Sequence, residues 1–125
     1  MLKFTIPIDP KTKKNHSQMI KVRGHMRLIP SKAFTQYQKD IAPYIPKVTT
    51  PICWPVNLKA TFYTSTRRRC DLVNLIQALQ DALVHYRVLE DDNRNIIVSL
   101  DGCRVCTDKD RPRTEVEITE ADNNG

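Results

Sequence analysis

Apolar and polar side chains alternate from Leu2 to Ile8, the pattern of a strand with one buried face. Asp9 to Asn15 breaks that alternation with Pro10 and three lysines, and reads as a basic loop. Met19 to Ile29 has strand character; Gly24 interrupts it and Pro30 closes it, so a hairpin is expected there. Ser31 can cap a helix over Lys32 to Ile41, which places Phe34, Tyr37 and Ile41 on one face. Pro43, Pro46, Pro51 and Pro55 end that helix and impose an extended connection. Leu58 to Thr64 is the next strand. Leu72, Leu75, Ile76, Leu79, Ala82, Leu83 and Tyr86 then recur at a 3.6-residue period, the stripe of a helix over residues 71 to 87. Asn95 to Leu100 and Glu115 to Thr119 read as two further strands.

Strands mixed with two principal helices make this an α+β chain: a single small domain over residues 1–120 with a mixed β-sheet, and a flexible tail at 121–125. At 125 residues one domain is the natural size, and 40% hydrophobic with 27% charged residues suits a folded core. With only Gly24, Gly102 and Gly125, the chain has no glycine-rich phosphate loop and no dinucleotide fingerprint. No apolar run approaches the roughly 18 residues that span a bilayer. The first residues carry no apolar leader, so a cytoplasmic location is expected.

Charge adds a second pattern. Residues 1–60 hold 11 basic and 2 acidic side chains, whereas residues 61–125 hold 9 basic and 12 acidic. The basic half suits a polyanion. The acidic half suits it only if its carboxylates do something else, and holding Mg²⁺ beside phosphates is the obvious task. Two solvated surfaces are the plainer alternative. Cys103 and Cys106 form one CxxC; half of a zinc site and ordinary buried thiols are both open readings.

The second helix has chemistry at both ends. Asp71 stands at its N-cap, where a side-chain oxygen can accept a backbone N–H. Arg67-Arg68-Arg69 precede it and offer phosphate-binding density. Glu90-Asp91-Asp92 follow it, three adjacent carboxylates that repel one another unless a cation neutralises them. A simple cap and a polar turn are the structural alternatives. His16, His25 and His85 could serve as acid–base groups or lie at the surface. Ile52, Trp54 and Val56 could form an interface or pack on the chain's own core.

Arg67-Arg68-Arg69-Cys70-Asp71-Leu72-Val73-Asn74-Leu75, then Gln80-Asp81-Ala82-Leu83, then Val88-Leu89-Glu90-Asp91-Asp92, resembles the RusA family of Holliday-junction resolvases. That family's pattern is a basic run, D-L-D-N-L, an A-x-x-D-A-L helix and a D-D pair. Ile6-Pro7-Ile8 leading to Lys13-Lys14-Asn15 resembles its N-terminal strand and loop, and Thr114 to Thr119 its last strand.

The resemblance implies a metal-dependent endodeoxyribonuclease of phage or prophage that resolves four-way DNA junctions in recombination and repair. It implies an intertwined homodimer, since opposed strands need paired cuts and two-fold symmetry supplies two equal sites. Asp71, Asp91 and Asp92 match the catalytic and metal-ligating aspartates, with Glu90 as a further carboxylate, for Mg²⁺ or Mn²⁺. Lys13, Lys14, Asn15, Arg67, Arg68, Arg69 and Asn74 match the DNA-contacting positions. Val73 replaces the second aspartate of D-L-D-N and Gln77 replaces the family's lysine; Glu90, Asp91 and Asp101 are the available substitutes. A catalytically weak junction-binding protein is therefore the alternative function, and a zinc-stabilised nucleic-acid-binding module a third.

Overall fold

The computed structural model describes residues 1–12, 17–30 and 32–122. In chain order these form β1 (Leu2–Ile6), β2 (Ser17–Val22), β3 (His25–Pro30), α1 (Lys32–Asp40), β4 (Val56–Thr64), α2 (Leu72–His85), β5 (Ile97–Ser99), β6 (Arg104–Thr107) and β7 (Arg113–Glu120). One short 3-10 turn, Ala42–Tyr44, takes Pro43 at its start. β2 and β3 make a separate hairpin; the other strands form one sheet in the order β1-β7-β4-β5, with β6 beside β4. The fold is α+β, a single small domain with a mixed sheet and two helices.

Register explains the core. Leu2, Ile118 and Leu58 stand in one row across β1, β7 and β4; Phe4, Val116 and Ala60 stand in the next, and Ile6, Thr114 and Phe62 in a third. Alternation aims these rows at one face. There α2 lays down Leu75, Ile76, Leu79 and Leu83, and α1 adds Phe34 and Tyr37, in one buried cluster. Each such side chain contributes roughly 1.5–3 kcal/mol by leaving water. Burial pushes the Tyr37 hydroxyl up to about 12, with Thr114 pulling the other way. The opposite face carries Lys3, Thr5, Lys59, Thr61, Glu115 and Glu117 and stays open to solvent.

β4, α2 and β5 form a crossover, with β5 parallel to β4. β6 was not legible in advance. It also runs parallel to β4, so β5 and β6 are two pieces of one edge broken by residues 100–103. Gly102, at φ +91, supplies the left-handed turn in that break. Two side chains stand in for the missing ladder. The Asn57 oxygen accepts from Ser99 Oγ at 2.6 Å and from the Asp101 N–H at 2.8 Å. The Cys103 thiol donates to the Leu58 carbonyl at 3.3 Å and accepts from the Ala60 N–H at 3.4 Å. Burial pushes this thiol up. Cys103 thus has a backbone-pairing role.

Ser31 and residues 123–125 lie outside the described residues, and with them the expected cap of α1 and most of the expected tail. Ile52 and Val56 are core residues of their own chain, whereas Trp54 is 43% exposed. Trp54 borders a cleft of about 230 Å³ with Met1, Val48 and Thr50.

Cys103→Ala removes both backbone contacts and should cost about 1 kcal/mol in urea unfolding. Iodoacetamide should modify exposed Cys53 in the native protein well before Cys103. Equal alkylation rates would contradict the role given to the Cys103 thiol.

Candidate nucleic-acid interface

β1 and β4 both pair antiparallel with β7, so they run parallel to each other. The loops that follow them leave the sheet at the same edge. Asp9, from the first loop, locks them together: its carboxylate accepts from the Ser65 N–H at 3.1 Å and from Ser65 Oγ at 2.7 Å. Thr64 Oγ1 donates to the Thr66 carbonyl at 2.8 Å, and Thr66 Oγ1 accepts from the Arg68 N–H at 3.2 Å. These bonds fix the start of the arginine run.

Arg67, Arg68 and Arg69 are all exposed, and none has an acidic partner among the described residues. Lys11, Arg68 and Arg69 line a cleft of about 280 Å³ between the two loops, with Thr66 and Cys70 on its wall. Unpaired guanidinium groups over an open cleft suit phosphate oxygens, which they can grip with two N–H groups at once. The other loop positions expected to face DNA, Lys13, Lys14 and Asn15, lie outside the described residues.

Asp71 follows this edge. It is extended (φ −94, ψ 128), and its carbonyl accepts the N–H groups of Asn74 and Leu75, each at 3.1 Å. The expected side-chain cap does not form. The exposed carboxylate accepts from the Asn74 amide at 3.2 Å instead, so Asn74 orients Asp71. Val73 is 74% exposed where the family motif has its second aspartate. Gln77, in the lysine position, donates to Asp81 at 3.1 Å.

The carboxylates after α2 belong to the other end of the crossover. Arg87, at φ 63, turns the chain out of the helix. Val88 and Leu89 then donate to the Leu83 carbonyl at 2.9 and 3.2 Å, and both are buried. The Glu90 N–H pairs with the Ile52 carbonyl at 2.9 Å, ahead of the start of β4. Asp71, by contrast, comes after the end of β4.

Asp91 and Asp92 differ in character. The Asp92 N–H, at 2.7 Å, and the Asn93 amide hold the exposed Asp91 carboxyl below its usual range. Asp92 is half-buried and pushed up, first by burial and then by Asp91, with Asp81 adding like charge. Asp81 was not among the expected site residues, although the Ala78-to-Leu83 block contains it. Its α2 position lies about 15 Å along the helix axis from Asp71, at 1.5 Å per residue.

A sequence profile described as Endodeoxyribonuclease RusA matches residues 7–119. The chain belongs to the RusA family of endodeoxyribonucleases. No curated protein matches it. RusA-like resolvases are metal-dependent nucleases. Among the described residues, no group of three or more His, Cys, Asp or Glu side chains could hold a divalent ion. Carboxylates are the right donors for Mg²⁺. Yet Asp71 and the Glu90–Asp92 turn stand at different ends of β4, and Val73 supplies no oxygen. The described residues of one chain therefore do not make a complete ion site. The cysteines make none either, since Cys103 is spent on β4.

The raised Asp92 and lowered Asp91 have opposite linkage. Stability from Asp91 is present above the unfolded aspartate range and is lost as pH falls through its folded value. The Asp92 contribution is lost as pH rises through its folded value, so at neutral pH its charge opposes folding. Asp92→Asn should raise the melting temperature at pH 7 by about 2 °C, the gain fading as pH falls below about 4. A lower melting temperature at pH 7 would contradict this.

Proposed function

We propose that the protein cuts four-way DNA junctions as a homodimer, acting in recombination and repair in the bacterial host of a phage or prophage. The observation that carries this reading is the edge where Arg67 to Arg69, exposed and without an acidic partner among the described residues, stand just ahead of Asp71, with Arg68 and Arg69 lining the cleft that Lys11 shares. No described helix is long and apolar enough to cross a membrane. Phosphate contacts of this kind position a strand without reading its sequence. A junction offers such strands in symmetric pairs, and a two-fold dimer would present two such edges. Trp54, half out of its cleft, is the residue we assign to subunit contact.

In this reading Lys11 and the three arginines hold backbone phosphates, and Lys13, Lys14 and Asn15 are assigned to DNA contact with them. Asn74 holds the Asp71 carboxylate toward the bound strand. Asp71, Asp92, Asp91 and Glu90 are the carboxylates we assign to the cutting centre, and Mg²⁺, with Mn²⁺ as substitute, is the ion we assign to them. One chain does not gather them into a single ligand set, so strand positioning is what its own residues supply.

A second reading has its own support. Val73 exposed in place of an aspartate, and Gln77 engaged with Asp81, favour a protein that binds junctions and cuts them weakly.

A labelled synthetic junction with Mg²⁺ separates the readings. Asp92→Asn should abolish cutting while leaving junction binding within about twofold; normal cutting by that variant would remove Asp92 from the centre. Val73→Asp should raise the nicking rate by about tenfold or more. Binding without nicking by the wild type would favour the second reading.

A further inference from the structure

Residues 10–39 hold eight Lys and Arg side chains and no Asp or Glu. The β2–β3 hairpin lies inside this acid-free stretch. It is fully paired from Ser17↔Pro30 to Val22↔His25, and among the described residues no strand of the main sheet joins it. A ribbon without a third strand buries little surface of its own. Its tip, Lys21 to Met26, is exposed at every residue. Among the described residues, neither Lys21 nor Arg23 has an acidic partner.

The apex is unusual in composition. Arg23 and Gly24 are the two turn residues, at φ 51 and φ 83. Positive φ at both positions is the type I′ turn, which Asn-Gly or Gly-Gly closes with less strain. A β-carbon in the left-handed region is penalised, yet this chain places an arginine there. Among the described residues no hydrogen bond or ion pair of the Arg23 side chain offsets this strain. It holds a guanidinium at the outermost point of a basic ribbon.

We infer that the β2–β3 hairpin is a DNA-binding arm that lies along a duplex arm of the junction, with Lys21 and Arg23 on backbone phosphates. Six residues per strand make a ribbon about 20 Å long. The major groove of duplex DNA, about 12 Å wide, admits a two-stranded ribbon of this kind. Lys21 shares a face with Met26, and Val22 with His25, so an apolar side chain accompanies the tip on each face. Lys11, in the same acid-free stretch of sequence, lines the arginine cleft. Phosphate contacts carry no sequence information, so the arm adds affinity rather than cut-site choice. The inference rests on the junction-binding reading above.

The test uses the full chain, Arg23→Asn, and the double variant Lys21→Gln/Arg23→Asn. Asparagine suits the turn better than arginine, so the fold is kept, and an unchanged or higher melting temperature checks this. Junction binding is followed by fluorescence polarisation over a salt series. The slope of log K against log salt should become shallower by about 1 for the single variant and about 2 for the double. Affinity of the double variant at about 100 mM salt should fall tenfold or more. If the wild type binds and both variants keep its affinity and slope, the arm is overturned while the junction reading stands. If the wild type binds no junction, both fall. A variant with altered mass in sedimentation would assign the hairpin to subunit association and overturn the inference.

Discussion

Burial of the α2 stripe against β4 is the constraint on which the rest depends. Leu75, Ile76, Leu79 and Leu83 must leave water, and the face of β4 carrying Leu58, Ala60 and Phe62 is where they can. A helix that returns along a strand fixes both of its own ends. The arginine run and Asp71 are placed just past the end of β4, and the Glu90–Asp92 turn beside Ile52 ahead of its start. Neither group packs in the core, yet both are positioned by it.

The separation of charge follows from the same geometry. Strands β1 and β4 end together, so the basic first loop meets the arginine loop, and Asp9 joins them through Ser65. That carboxylate spends both oxygens on Ser65 and leaves Lys11, Arg68 and Arg69 around an open cleft. The carboxylates after α2 gather elsewhere, where burial and like charge push Asp92 up. In a family of metal-dependent nucleases, a carboxylate under such repulsion is one that a cation would relieve. Among the described residues no three His, Cys, Asp or Glu side chains form a metal site, and Val73 stands where the family motif has a second aspartate.

Much of the fold was legible because its signals are periodic and local. The seven-residue stripe of α2 and the alternation of β7 need no distant partner to be read. β6 escaped because Arg104-Val105-Cys106-Thr107 is four residues of edge strand with no buried alternation. Cys103 suggested metal by its spacing, but its role comes from Leu58 and Ala60, which are 45 and 43 residues away. The candidate site was legible as residues and not as geometry. Asp71, Asp91 and Asp92 stand out in the motif, whereas the Asp9–Ser65 lock spans 56 positions and leaves no local trace. The effect of Asp81 on Asp92 likewise appears only when α2 and the turn after it are seen together. Asp71 looked like a side-chain cap because aspartate before a helix usually is one; here Asn74 takes its carboxylate.

The central claim is that this edge of the sheet serves strand cutting at branched DNA. The most direct measurement incubates the wild-type protein and Mg²⁺ with an end-labelled four-way junction and, in parallel, with a linear duplex of the same sequence. Paired nicks in opposed strands of the junction and none in the duplex are expected. Equal nicking of both substrates, or no association with either, would contradict the claim.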